Sequence, residues 1–480
     1  MGRRGIVGAW AALMLAVAAA SPALAQTPIA QTPPALPDTP VGRETRAYLE
    51  AFNTGDAAKA DTFIKQHYPA SPRDAEEFAA FRNQVGGFSL VQVETATDTQ
   101  LTALLRERFG DYARLEVEVE AAAPHHIKTL RLRPEPKPPG VAPPPHLDDA
   151  ALAQAIKAQL ALLGDDFSGA VLVSRKGQMV FSTAQGLADR ARGTPNTVQT
   201  RFRVGSMDKM FTGVAILQLA QAGKVDLQAP LGTYLKNYPN ADFAKTVTLH
   251  QLLTHTGGAG DIFEPEYDAK RLQLRTLQDY VDLFGQRPPE FEPGAKFEYA
   301  NYGFILLGRV IEVVSGQTYY DYVRDHVFAP AGMASTGFEP ETTAVPGRAV
   351  AYLKGSASIT PADDLPWRGT SAGGGYSTVE DFNRFATALY DGRLLDAEHR
   401  RQLLQGRVEM QPGVKYGYGF GVHVDARPVM VGHNGAAGGM SGELRIIGED
   451  EVVIVVLSNV TPPQQSGRVT KFISDRLSVK

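Results

Sequence analysis

Two hydrophobic periodicities alternate along the chain. After residue 41, "RETRAYLEAFNTGDAAKADTFIKQHYP" places Tyr48, Leu49, Phe52, Phe63 and Ile64 at helical spacing. The pattern then switches to strict alternation, Leu115, Val117 and Val119 in "LEVEVE" and Leu130 and Leu132 in "TLRLRP". Helices followed by antiparallel strands predict a small α+β unit. A second block opens with an amphipathic helix, "DAALAQAIKAQLALLG", and two strands, "SGAVLVSRKG" and "MVFSTAQG", joined at Lys176-Gly177. A long mixed and helical middle follows. In it, "RVGSMDKMFTGVAILQLAQAGKV" puts Met210, Val214 and Leu217 on one broad apolar face with Phe211, Ile216 and Leu219. The block closes with three strands, "RPVMVGHNG", "SGELRIIGED" and "EVVIVVLSNV", and a last helix from about Gln465. Strands at both ends of a helical middle predict one sheet closed by the two ends of this block.

Proline-rich stretches separate the blocks. Residues 26–41 read as a tether and 134–147 as a semi-rigid linker, because proline runs stay extended. The expected organisation is therefore an export signal at 1–25, the tether, a small domain at 42–133, the linker, and one large domain at 148–480. The signal reading rests on Arg3 and Arg4, the apolar run "IVGAWAALMLAVAAA" and the small-residue site Ala23 to Ala25. It predicts a periplasmic or secreted protein with no membrane span after cleavage. The small domain resembles the nuclear-transport-factor-two-like (cystatin-like) cone through "AYLEAFNTGDAAKADTFI". No acid, base or nucleophile set stands out in it. His125 and His126 are adjacent, and a strand would point them to opposite faces, as a solvated pair rather than a metal site.

Composition narrows the chemistry. The 480 residues are 43% hydrophobic and 21% charged, with a net charge of −4, which gives no hint of a nucleic-acid partner. There is no cysteine, so disulfides, thiolate metal sites and cysteine nucleophiles are all excluded. No metal or cofactor is expected. The partner expected is a small-molecule or peptide substrate, and the oligomeric state is left open.

The anomaly is Lys209. It falls in the first turn of a predicted helix, at the positive end of the macrodipole, three residues after Ser206. A serine at a helix start is ordinarily an N-cap. Spaced three apart on a helix, however, serine and lysine share a face. Burial and the helix end both lower a lysine pKa, and a neutral lysine can take a serine proton. "PGAKFEYANYGFILLGRVIEVVSG" supplies a second group: a Pro-Gly turn, a short aromatic strand, Tyr299-Ala300-Asn301 and a helix. Tyr299 could shuttle protons, and the Asn301 amide could hold Lys209 and a substrate carbonyl. The alternative is a buried tyrosine and a turn asparagine. Tyr238-Pro239-Asn240 repeats the spacing, but its proline marks a turn. In "VMVGHNGAAGG", His433-Asn434-Gly435 ends a predicted strand, Gly435 permits close backbone approach, and the Ala436 N–H is a candidate oxyanion donor. His255-Thr256-Gly257 is a similar triplet that reads as a structural corner.

The order Ser-x-x-Lys, Tyr-x-Asn, His-x-Gly resembles the serine β-lactamase-related superfamily: class C β-lactamases, D,D-peptidases, D-aminopeptidases and β-lactamase-like esterases. The resemblance runs from about Phe167 onward, supported by "LLTHTGG", "FAPAGMASTGF", "AGGGYSTVEDFNRFA" and "VVIVVLSN". It implies an antiparallel sheet flanked by helices plus a helical region, with the site between. It implies Ser206 as acylated nucleophile, Lys209 as base, Tyr299 as shuttle or deacylation base, and His433-Asn434-Gly435 as the third-motif strand. One departure stands out. The family's β-lactamases and transpeptidases usually carry lysine where this chain has His433, a mostly neutral group near pH 7. The expectation is therefore an esterase or D-amino-acid amidase or peptidase ahead of a class C-type β-lactamase or D,D-carboxypeptidase. A non-turnover penicillin-binding sensor is the reading from another class.

Overall fold

The computed structural model describes residues 35–108, 110–138, 144–353, 358–359, 365–426, 428–448, 452–461 and 464–478. The proposed export signal at 1–25 and most of the tether lie outside these. The chain divides into two compact units, with the boundary between Pro144 and Pro145.

The first unit packs three helices, α1 (Pro40–Thr54), α2 (Ala57–His67) and α3 (Ala75–Val85), with a four-stranded antiparallel meander. Its strands are β1 (Phe88–Ala96), β2 (Gln100–Glu107), β3 (Tyr112–Val119) and β4 (Ile127–Glu135). Helix α1 starts two residues before the expected domain edge, because the Thr39 side chain accepts from Gly42 N–H and Pro40 occupies the first turn, where no N–H is required. Strand β4 runs past the expected end at 133. As the edge strand it tolerates Pro134, which has no N–H to give. Tyr48, Leu49, Phe52 and Phe63 are buried as their spacing predicted, while Ile64 is only half-buried. Tyr48, Phe52, Phe63 and Phe78 form an edge-and-tilt aromatic cluster with centroids 5.1–6.0 Å apart. His125 and His126 are in the turn between β3 and β4, not in a strand. His125 takes a φ of 65° there, and its Nδ1 lies 3.0 Å from the Glu120 carbonyl.

The second unit is built on an eight-stranded antiparallel sheet. Six strands come from the C-terminal part, in the order Val408–Gln411, Val414–Tyr416, Gly421–His423, Met430–Ala437, Met440–Ile447 and Val452–Ser458. The sheet continues with β5 (Gly169–Arg175) and β6 (Gln178–Gln185), the two strands from the start of the unit. Both ends of the unit thus meet in one sheet. Lys176 and Gly177 both take positive φ, 48° and 75°, in the two-residue turn between β5 and β6. Every residue of Val452–Ser458 is buried, as its uninterrupted apolar run requires of a strand covered on both faces. The first helix of the unit, α4 (Asp149–Leu163), and the last, Gln465–Ser474, pack together. The linker's C-terminal end belongs to this unit, since Leu147 N–H donates to Arg476 C=O at 2.8 Å.

Helix α5 (Lys209–Gln221) is central to the unit. Its residues from Lys209 to Leu217 are all buried. The broad apolar face expected from the sequence is therefore nearly a full circumference, as for a helix enclosed on all sides. Among the described residues no helix is long and apolar enough to cross a membrane.

Candidate active site

Ser206 lies one turn earlier than the sequence pattern suggests. It sits in a 3₁₀ turn, Gly205–Asp208, and α5 begins at Lys209. No side chain caps this end, so Ser206 is not spent as an N-cap. The turn is held from two sides. On one side, Gly435 in the strand Met430–Ala437 packs directly on its backbone. A Cβ at 435 would sit 2.0 Å from Val204 O and 2.9 Å from Ser206 N. Gly205, with φ +53°, reciprocates by approaching Ala436 N. This close approach brings the Ser206 and Ala436 amides near each other, the arrangement needed for paired donors to a developing oxyanion. We expect Gly435→Ala to push the strand off the turn and slow fluorophosphonate labelling of the protein by about a hundredfold or more. Labelling at the wild-type rate would contradict this packing.

On the other side is the glycine-rich loop Thr370–Gly375. Gly374 N–H donates to Gly205 C=O at 3.2 Å, Val204 N–H donates to Gly375 C=O at 3.0 Å, and Gly375 N–H donates to the Asp208 carboxyl at 2.7 Å. The same loop turns the Ala372 carbonyl onto Lys209.

Lys209 is fully buried. Its Nζ lies 2.7 Å from Asn301 Oδ1, 2.6 Å from Ala372 O and 3.2 Å from Ser206 Oγ. The first two partners can only accept. A neutral amine has two N–H bonds and one lone pair, so two obligate acceptors consume both hydrogens and leave the lone pair facing the Ser206 hydroxyl. Burial lowers the Lys209 pKa to about 7, against opposing pulls from Asp261 and Asp208. Burial also raises the neighbouring Asp208 to about 8, so the carboxyl beside the lysine gives up much of its charge.

Tyr299 completes the group. Burial pushes its pKa well up, against a smaller opposing influence of Ser206, so it is a neutral phenol. Lys209 Nζ stands 4.7 Å from the Tyr299 ring centroid. The expected aromatic strand before Tyr299 does not form. Instead Glu298 N–H donates to His255 C=O at 2.9 Å and Ala300 N–H donates to His255 Nδ1 at 3.0 Å. The segment's backbone polar groups are thus satisfied by a loop corner instead of a strand ladder. Asn301 then opens the helix Asn301–Ser315.

His255 is the corner the sequence suggested, with φ +57°, but it is also part of the site wall. Its ring lies 4.3 Å from the Tyr299 centroid and 4.6 Å from that of Tyr416. Burial holds it well below the ordinary histidine range.

His433 corrects two expectations. It lies inside the strand, not at its end, and its ring is buried instead of open to the cleft. Nδ1 donates to Asn434 C=O at 2.5 Å, and Nε2 accepts from Tyr416 O–H at 2.9 Å. Both nitrogens are occupied in the neutral tautomer, and burial lowers the pKa to about 3. Asn434, on the opposite face, is exposed. Tyr238, from the repeated Tyr-x-Asn spacing, is elsewhere: its hydroxyl pairs with Tyr302 at 3.1 Å.

The structure therefore brings together Ser206, Lys209, Tyr299, Asn301, Gly435 and Ala436, and places the His433 ring behind Tyr299, 6.4 Å between centroids, with both of its nitrogens already occupied. Sequence reasoning missed Ala372, Asp261, Asp208 and the contact of His255 with Tyr299. The glycine run 373–375 was the available signal for the first, since adjacent glycines mark close backbone approach. No group of three or more His, Asp or Glu placed to hold a metal occurs among the described residues.

Residues 152–475 match the Beta-lactamase family model. The structure is similar to that of a penicillin-binding protein from Bacillus halodurans, with TM-score 0.60 and 31% identity, covering 68% of this chain and 99% of that one. It is also similar to a D-stereospecific amidohydrolase from Streptomyces sp., with TM-score 0.56 and 26% identity over 68% of this chain and 98% of that one. In sequence it is 35% identical to esterase EstB of Burkholderia gladioli, over 42% of this chain and 56% of the esterase. The chain is a serine hydrolase of the Beta-lactamase family.

Proposed function

We propose that this protein hydrolyses esters or D-amino-acid amides and peptides through an acyl-enzyme at Ser206. The observation that carries this reading is the Lys209 amine fixed between Asn301 Oδ1 and Ala372 O with Ser206 Oγ as its third neighbour. Lys209 takes the Ser206 proton as Oγ attacks the carbonyl carbon. The tetrahedral oxygen is met by the Ser206 and Ala436 N–H groups. The proton returns to the leaving group through Tyr299, which as a neutral phenol relays protons by donating one and accepting another. Water then attacks the acyl-enzyme along the same relay. The similarity to an esterase and to a D-stereospecific amidohydrolase supports this substrate range. Export to the periplasm or medium rests on the residue pattern at 1–25.

His433 supports esters ahead of β-lactams. A β-lactam carries a carboxylate, and a cation at this strand position would recognise it. Here the group is uncharged, and Tyr416 and Asn434 occupy both ring nitrogens. We expect kcat/KM for short-chain p-nitrophenyl esters to exceed that for cephalosporins. Steady-state kinetics on both series tests this. A cephalosporin value at or above that of the best ester would make β-lactam hydrolysis the main activity.

A further inference from the structure

The loop following the His255 corner carries Asp261, and its carboxylate reaches the site through one intermediary. Asn301 Nδ2 donates to Asp261 Oδ1 at 2.9 Å, while Asn301 Oδ1 accepts from Lys209 Nζ at 2.7 Å. A carboxylate only accepts hydrogen bonds, so it dictates which end of the amide it meets. With the NH₂ end committed to Asp261, the oxygen end must face Lys209. Turned over, the amide would present N–H to the amine, which could answer only with its lone pair. That lone pair would then no longer be available to Ser206. Asp261 is itself fixed, since its Oδ1 also accepts from Ile262 N–H at 2.7 Å and its backbone carbonyl accepts from Arg287 at 2.8 Å.

We infer that Asp261 is a positioning residue for the base: its carboxylate locks the Asn301 amide with the oxygen toward Lys209, and its charge helps set how readily that amine holds a proton. This rests on the reading of Lys209 as the base. Other groups face Lys209 as well: Asp208 from the 3₁₀ turn, Tyr299 and Asn301 from the segment entering the helix, His255 from the corner and His433 from the strand. Both histidines are neutral, and Asp208 is partly so. Arg287 stands beside Asp261 but is also paired with Glu264 at 3.1 Å. Asp261 is the charged group that is joined to the lysine by a hydrogen-bonded relay and is not covered on all sides.

The sign follows. A nearby anion favours the ammonium form, so removing it lowers the lysine pKa. Asp261→Asn, which keeps the shape, should move the acid limb of Ser206 acylation to lower pH by about one unit. Asp261→Ala should shift the limb the same way and also lower the high-pH plateau severalfold, because the amide is released. Asp261→Glu should leave the limb nearer its wild-type position. Stopped-flow acylation by p-nitrophenyl butyrate across pH 5–9 reads both limb and plateau. A limb that stays in place in both the Asn and Ala variants, with or without a lower plateau, would reduce Asp261 to a structural part and overturn the inference. A wild-type profile with no acid limb near pH 7 would remove Lys209 as base, and the inference with it. If the Asn variant does not fold, the Glu and Ala pair still decides the matter, because they differ in charge at the same site.

Discussion

Lys209→Arg is expected to be as inactive as Lys209→Ala, with acylation of Ser206 reduced by about 10⁴-fold or more in each. Arginine keeps the positive charge and can still donate to Asn301 Oδ1 and Ala372 O. It is effectively never deprotonated in a protein, so it has no lone pair to offer Ser206. In the wild type, with Lys209 lowered to about 7, acylation should rise with pH through that value and level off above it. The sign is that of a base, since the active form is the one that has lost its proton. The expected limb belongs to Lys209 and is influenced by the carboxyls of Asp261 and Asp208 beside it. Single-turnover acylation of the two variants, followed against pH, checks this. An arginine variant retaining most of the rate would make position 209 an electrostatic clamp and transfer the base role to Tyr299.

Ser206→Ala is expected to remove turnover by about 10⁴–10⁶-fold while leaving the fold intact. The turn that carries Ser206 is held by backbone contacts: Gly374 to Gly205, Val204 to Gly375, and the packing of Gly435. None of these uses the hydroxyl, so its loss leaves the scaffold in place. The variant should also melt at or slightly above the wild-type temperature, because catalytic side chains are commonly retained at some cost in stability. Ester hydrolysis within tenfold of wild type, in protein shown free of contaminating esterase, would exclude Ser206 as the nucleophile.

What could be read from the sequence was what is local. Ser206 and Lys209 are three apart, and their shared face needs no tertiary knowledge. The alternation in Leu115, Val117 and Val119 fixed a strand because its period is two. The strands at 169–185 and 430–458 met in one sheet, as their position at the two ends of the block implied. What could not be read depends on loops that meet only after folding. Ala372 reaches Lys209 across 163 positions and Asp261 reaches Asn301 across 40. The glycine run 373–375 marks a close backbone approach without saying to what, and nothing around Asp261 announces its contact. His433 shows the same limit from another side. Its strand was legible, but the direction of its ring depends on Tyr416 waiting behind it. Tyr299 shows how a loop can imitate a strand: "KFEYA" has an extended, aromatic pattern, yet its donors go to His255, which reads only as a turn residue.

The most direct measurement is intact-mass spectrometry of the wild-type protein and Ser206→Ala after brief exposure to a fluorophosphonate and to p-nitrophenyl butyrate, with peptide mapping of any adduct. A single adduct on Ser206 in the wild type, formed faster as pH rises through about 7 and absent from the variant, is the result expected. An adduct on another residue, or equal labelling of both proteins, would contradict the assignment of Ser206 and Lys209 as nucleophile and base.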